Sequence, residues 1–229
     1  MDLFDFVREK LDAYEREYLP APEEVRRMHS DSVRFAKSLK WLAACDFTGK
    51  EVLELGGFEA ASFLIREYFP ANKYHLNHTD LREGFPCPDA SFDFILGMEV
   101  VEHIFDLDPG HQVHYTGLRH CLKECFRVLK RGGEMFLTTP NAASAHVIRR
   151  ALLQQPPWLS AQHFREYTPE ELTHYLLEAG FKILKLETET VWHPEDFNAV
   201  MDLILEKNYP ATLRGDDIFV LARKPGLKE

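Results

Sequence analysis

The chain is poor in paired cysteines, in bilayer-length apolar runs and in positive charge. Its four cysteines, Cys45, Cys87, Cys121 and Cys125, form no C-x-x-C pair, so a thiol-based metal or redox motif has no basis. Cys121 and Cys125 are one helical turn apart and read as buried free thiols. No apolar stretch is long enough to span a bilayer. No cationic–apolar signal segment opens the chain, and a reducing cytoplasm is the expected setting. Lys and Arg number 27 against 37 Asp and Glu, a net charge of −10, with a pI of about 5.6. That balance argues against a broad polyanion-binding surface, and a nucleic-acid partner is not expected. Internal repeats and low-complexity tracts are absent as well.

What is present is the material of one α/β domain. Of the 229 residues, 45% are hydrophobic, enough for a full core. Residues 1–42 carry no strand pattern. Leu3, Phe4, Phe6, Val7 and Leu11 begin a stripe of helical period, Pro20 and Pro22 break it, and a second helix is expected from Glu23 to Leu42. These residues read as a helical N-terminal cap on a domain spanning 43–229. From there strands and helices alternate. Strands are expected at 51–55, 73–79, 92–97, 134–139, 181–187 and 217–223. Helices are expected at 60–69, from about 99, at 112–130, 143–153, 168–180 and 195–207. Thr168-Pro169-Glu170-Glu171 is a capping box with proline at the first helical position. Alternation of this kind specifies a Rossmann-like, mostly parallel sheet with helices on both faces.

The most informative stretch is V-L-E-L-G-G-F-E, Val52 to Glu59. An apolar strand ends in an acidic residue, two glycines follow, and a helix starts at once. In open α/β sheets ligands bind at the carboxyl ends of strands, and glycine lets the backbone approach them closely. Two further stretches lie downstream: F-D-F-I-L-G-M-E-V-V-E-H, Phe92 to His103, and C-F-R-V-L-K-R-G-G-E-M-F-L-T-T-P-N, Cys125 to Asn141. Together the three resemble class I S-adenosylmethionine-dependent methyltransferases, in particular the subgroup of ubiquinone-pathway, sugar and natural-product O-methyltransferases. The resemblance covers roughly residues 50–187. It implies S-adenosylmethionine as cofactor, with Glu54, Gly56, Gly57, Phe58, Glu59, Asp80, Leu81 and Met98 as candidate contacts.

Two departures from the family pattern stand out. The interval from Gly56 to Phe92 has room for one crossover of about 30 residues, where the family places two βα units. A sheet short by one edge strand is expected, with Asp80 facing either the ribose or the adenine. The family's G-x-G-x-G also reads Gly56-Gly57-Phe58-Glu59-Ala60 here, so a different loop path is expected around Phe58.

Glu99, Glu102 and His103, at spacing i, i+3, i+4, would share one face of a helix starting beside the cofactor. The bland reading is that the glutamates favour a helix start and the histidine packs. His163, in Q-H-F-R-E-Y-T-P-E-E-L, adds weight to a functional set. The E-x-x-E-H and later H-x-x-E-Y-T pattern resembles the small-RNA 3′-terminal 2′-O-methyltransferases. That resemblance implies Glu99, Glu102, His103 and His163 as ligands of a divalent cation, with Mg²⁺, Mn²⁺, Fe²⁺ and Zn²⁺ all admissible. A metal-free version, with His103 or His163 as general base and Glu102 beside them, stays open. His111 and His114 fall in an insertion, 107–117, that would overhang the acceptor pocket. His75 and His78 read as surface residues, and Trp192, beside His193, as a packing residue.

The reading that follows is an O-methyltransferase acting on a hydroxyl of a small-molecule or glycan-like acceptor. A homodimer is allowed. The alternatives are transfer to nitrogen or carbon on the same fold, and a non-catalytic S-adenosylmethionine-binding module.

Overall fold

The computed structural model describes residues 2–57, 59–106 and 116–226. Six strands form one sheet in the order β2-β1-β3-β4-β6-β5. They are β1 Glu51–Leu55, β2 Lys73–Asn77, β3 Phe92–Met98, β4 Leu129–Pro140, β5 Lys182–Glu189 and β6 Asp217–Arg223. The first four are parallel, and β6 runs antiparallel to both β4 and β5. A single helix, α4 Glu59–Tyr68, and a single strand, β2, occupy the interval between β1 and β3. The sheet therefore ends at β2, one βα unit short, as the short interval requires.

The central strands are apolar on both sides because helices cover both faces. Leu53, Leu55, Ile95, Leu137 and Val220 face α5 (Thr116–Val128) and α7 (Pro169–Glu178). Val52, Phe94, Leu96, Phe136 and Phe219 face α4 and the N-terminal helices. Cys121 and Cys125 are buried free thiols on α5. The capping box forms as expected: Thr168 Oγ1 accepts from the Glu171 backbone N–H, and Glu171 Oε2 accepts from that of Thr168.

The N-terminal region differs in detail from its sequence pattern. Helix α1 is Leu3–Tyr18, but the second expected helix is two, α2 Pro22–Ser30 and α3 Ser32–Ala43. The break is at Asp31, whose buried carboxylate takes the Trp192 indole N–H and the Arg34 guanidinium. A short acidic side chain with distant partners competes with helix continuation. The helix expected at 112–130 ends at Val128, and Lys130 and Arg131 lie in the first part of β4. Among the described residues no helix is long and apolar enough to cross a membrane.

Helix α3 is seated in the main core. Trp41 lies 5.9 Å from the Phe136 ring and 5.8 Å from Phe219, with Lys185 Nζ 3.9 Å over its face. Trp41→Ala should cost about 3–5 kcal/mol, the range for emptying a buried large aromatic site. Urea unfolding followed by circular dichroism should show one earlier transition. A separate early melting of helix with the sheet signal unchanged would mean that α3 is not part of the sheet core.

Candidate active site

The carboxyl edge of β3 does not continue into a helix. Glu99 adopts φ +53°, in the left-handed region, and its N–H bonds the Thr138 carbonyl of β4. Only a 3-10 turn follows, Val101–His103. The shared helix face expected for Glu99, Glu102 and His103 is thus replaced by a turn. Glu99 reaches Thr138, accepting from its Oγ1 at 2.7 Å. Glu102 is fully buried; Oε2 accepts from Thr139 Oγ1 at 2.9 Å and Oε1 has no partner. His103 is more exposed, with Nε2 3.8 Å from that free oxygen.

His163 comes from the other side. The backbone N–H groups of Phe164 and Arg165 both donate to the Glu102 carbonyl, at 2.9 and 3.2 Å. This brings the His163 ring to 5.1 Å from that of His103. Glu166 Oε1 meets His163 Nδ1 at 2.8 Å and also accepts the Leu159 and Ser160 N–H groups. A carboxylate on one imidazole nitrogen fixes the tautomer and leaves Nε2 for another partner. Ligand atoms of Glu102, His103 and His163 all lie within 4.8 Å of one another. Glu99 falls outside that group. His111 and His114, with most of the expected overhanging insertion, lie outside the described residues.

These groups line a cavity of about 600 Å³ together with Arg27, Asp31, Arg34, Trp192 and His193. Trp192 lines this cavity as well as packing against the core, whereas its sequence context had favoured packing alone. Its segment is clamped by Asp216, which accepts the N–H groups of Val191, Trp192 and His193 at 2.7, 3.2 and 2.8 Å. His193 stacks 3.8 Å from His146, whose Nδ1 meets Asp196 Oδ2 at 2.5 Å.

Burial sets the electrostatics. Arg34 is 2% exposed, and its Nε and one terminal nitrogen have no partner. Around it lie Glu99, Asp31 and Asp217. Burial pushes the Glu99 carboxyl up against the pull of Arg34. Glu102 and Asp217 are pushed well above the usual carboxylate range by burial and by the charge on Glu99. Burial and the nearby His163 lower the His103 imidazole from its ordinary value.

The cofactor end is built at β1 and β2. Glu54 is buried, accepts from Ser62 Oγ and lies 3.5 Å from the Arg66 guanidinium. Gly56 and Gly57 have φ +77° and +57°. A Cβ on Gly56 would meet Val100 Cγ2 at 2.5 Å, and one on Gly57 would meet Leu76 Cδ1 at 2.8 Å. Glycine is required there by backbone and by space. Glu59 accepts from the Tyr14 hydroxyl at 3.1 Å. Met98 is buried at the end of β3, and Leu81 packs at the core edge. Phe58 lies outside the described residues. Asp80 is exposed and closes on Arg82, which pulls its carboxyl down to about 2. The residue that ends β2, in register with Leu55, is Asn77. Its Oδ1 takes the Thr79 N–H and hydroxyl, while Nδ2 is buried without a partner. A free donor beside a double-glycine turn fits an adenosine whose ribose oxygens face β2.

Asn77, Arg34 and Asp217 were not singled out in the sequence. Arg34 carried a signal, since it shares the buried face of α3 with Ser38 and Trp41. Asn77 and Asp217 look like ordinary strand ends.

Asp217 gives a pH test. Its folded-state pKa is raised, so the folded chain holds the proton more tightly than the unfolded one. The stability this confers is fully present below the ordinary carboxyl range, about pH 4. It is lost as pH rises through the raised folded value. Asp217→Asn should remove that loss, so its melting temperature relative to the parent should climb from pH 5 to pH 8 in thermal scans. A pH-independent difference would contradict the assigned shift.

A profile of the methyltransferase domain family matches residues 29–186. A "probable S-adenosylmethionine-dependent methyltransferase" of Mycolicibacterium smegmatis is 33% identical over 134 residues, 58% of this chain and 44% of that protein. A ubiquinone biosynthesis O-methyltransferase of Bradyrhizobium diazoefficiens is 29% identical, over 63% of this chain and 57% of its own length. The chain thus spans about half the length of the curated relatives it matches. In fold it is similar to a SAM-dependent methyltransferase from Archaeoglobus fulgidus, with a TM-score of 0.56 at 18% identity over 93% of this chain and 98% of the other. The chain belongs to the class I S-adenosylmethionine-dependent methyltransferases.

Proposed function

We propose that this domain transfers a methyl group from S-adenosylmethionine to a hydroxyl of a small-molecule or glycan-like acceptor, and that Glu102, His103 and His163 activate that hydroxyl. The observation that carries the reading is the unpartnered, fully buried Glu102 Oε1 with two imidazoles beside it, on the wall of a cavity large enough for a small acceptor. Leaving such an oxygen unsatisfied costs about 1–3 kcal/mol or more, a cost that a ligand or cation would offset. The name of the O-methyltransferase relative points the same way.

S-adenosylmethionine, when bound, supplies a methyl already activated on a sulfonium. The chain is left to position the acceptor and to take its proton. Burial lowers the His103 imidazole, which favours the neutral form that can accept that proton. His163, with Nδ1 committed to Glu166, presents Nε2 as a second acceptor. One carboxylate and two imidazoles also fit a divalent first-row cation, which would favour the ionised hydroxyl. In this reading Glu99 braces the turn from Thr138 and is not a ligand. Glu54, Gly56, Gly57 and Asn77 hold the cofactor, and Asn77 takes the ribose position considered for Asp80.

Formation of S-adenosylhomocysteine over a panel of catechols and glycosides tests the centre. Glu102→Gln and His163→Ala should each lower turnover at least about 100-fold, with S-adenosylmethionine affinity within about twofold. Exhaustive chelation, reversed by Mn²⁺ or Mg²⁺, assigns the cation version, and indifference to chelation assigns the base version. Full turnover in the combined Glu102, His103 and His163 variant would remove both.

The cofactor assignment has its own measurement. Asn77→Ala should weaken S-adenosylmethionine binding about tenfold in calorimetry, the loss of one buried hydrogen bond. An unchanged Kd would return the ribose to another residue.

A further inference from the structure

Beside the acceptor cavity lies a second hollow of about 430 Å³, and Ser160 and His163 line both. Glu166 lines only the second. Its side chain is 5% exposed. Oε1 is engaged by His163 and two backbone N–H groups, while Oε2 is buried with no partner. A buried carboxyl oxygen left without a partner is costly, and the described chain supplies no donor to this one. Two large aromatic side chains line the same hollow and stay open to solvent, Trp158 at 43% and Phe164 at 52% exposed. The wall is held in place. Trp158 N–H and Arg150 Nε both donate to the Pro156 carbonyl, at 3.0 and 2.7 Å. The Phe164 N–H is one of the two on the Glu102 carbonyl.

The chemistry of the lining narrows the ligand. Glu166 disfavours an anion. Arg165, also on the wall and ion-paired with Glu171, places a guanidinium beside any cation that the aromatic faces would accept. A neutral ring with a polar edge and an apolar face fits both features. Its hydroxyls can donate to Oε2, and its C–H face can cover Trp158. The volume lies within the range of small-molecule sites and exceeds one hexose ring.

We propose that this hollow is a subsite for a pyranose ring. The sugar unit of the acceptor would stack on Trp158 and donate a hydroxyl to Glu166 Oε2. A neighbouring hydroxyl or sugar unit would pass Ser160 and His163 into the activating centre. The inference rests on the hydroxyl-acceptor reading above and names its substrate class.

The three tryptophans make the test specific, because Trp41 lies in the core, Trp158 on this hollow and Trp192 on the acceptor cavity. Protein labelled with 5-fluorotryptophan, its resonances assigned through single Trp→Phe variants, is titrated with the methyl α-pyranosides of glucose, galactose and mannose. About 50 mM of each suffices to fill a site of millimolar Kd. The Trp158 resonance should shift saturably with at least one pyranoside while Trp41 stays fixed. Trp158→Ala should weaken saturation transfer to that sugar about tenfold, as loss of an aromatic anchor does. Tighter binding of maltotetraose would assign a chain end as source, and equal binding a single sugar unit; either supports the subsite.

Three results overturn it: no pyranoside moves Trp158, only catechol or tetramethylammonium moves it, or sugars move Trp192 alone. The last keeps the acceptor cavity and removes the subsite. A sugar-dependent Trp158 shift in a protein whose turnover ignores the Glu102, His103 and His163 substitutions would keep the subsite and remove the activating centre.

Discussion

The arrangement of the acceptor end depends on one buried guanidinium. Arg34 sits on α3 with Asp31, Glu99 and Asp217 as its charged surroundings. These carboxylates come from the α2–α3 break, the end of β3 and the start of β6, three parts of the chain distant in sequence. Burying a guanidinium without partners costs several kcal/mol, and removing the partners of a buried charge is far more damaging than replacing the whole set. The cluster therefore fixes where α3 lies against the sheet. Glu99, in its left-handed turn, accepts from the Thr138 hydroxyl and feels the Arg34 charge. One cation facing several carboxylates cannot keep all of them ionised. The surplus appears as the raised pKa values of Glu102 and Asp217. Burial and the charge on Glu99 thus disfavour the ionised forms of Glu102 and Asp217.

The fold was legible where the signal is local or periodic. Apolar runs with helices between them gave the alternation, and Thr168 to Glu171 gave a helix start that the structure reproduces. The interval between Gly56 and Phe92 counted the crossovers correctly because chain length bounds a βαβ unit. What the residues could not report is competition from distant partners. Nothing near Asp31 announces that Trp192 will donate to it, so a continuous helix was the natural expectation. Glu99-Val100-Val101-Glu102-His103 has helical spacing, yet Val100 packs over Gly56 and the Glu99 N–H goes to β4. Those two long-range contacts decide a turn over a helix.

The candidate site shows the same division. Glu102, His103 and His163 were singled out by type and pattern, although the geometry invoked for two of them, a common helix face, does not exist. Their proximity comes instead from the Glu102 carbonyl, which accepts two N–H groups from the segment after His163. Asp80 drew attention as the acidic residue in a suitable interval, but its carboxylate is closed by an arginine two residues on. Asn77 is invisible to a search for acids and recognisable only once β2 is seen to end beside Leu55.

Because one backbone carbonyl receives both Phe164 and Arg165, the turn bearing Glu102 and the wall bearing His163 are mechanically a single unit. Glu166 extends that unit: one oxygen meets His163 and the other is buried without a partner in the wall of the adjoining hollow. Displacement of the 159–166 segment would therefore shift the imidazole away from Glu102 and open the hollow at once. In the proposed reading, proton acceptance and recognition of the acceptor's remoter part are coupled through Glu166. Binding energy gained outside the reacting centre can in this way hold the imidazole where the proton must go. The two N–H groups on the Glu102 carbonyl tie the 159–166 segment to the β3 turn.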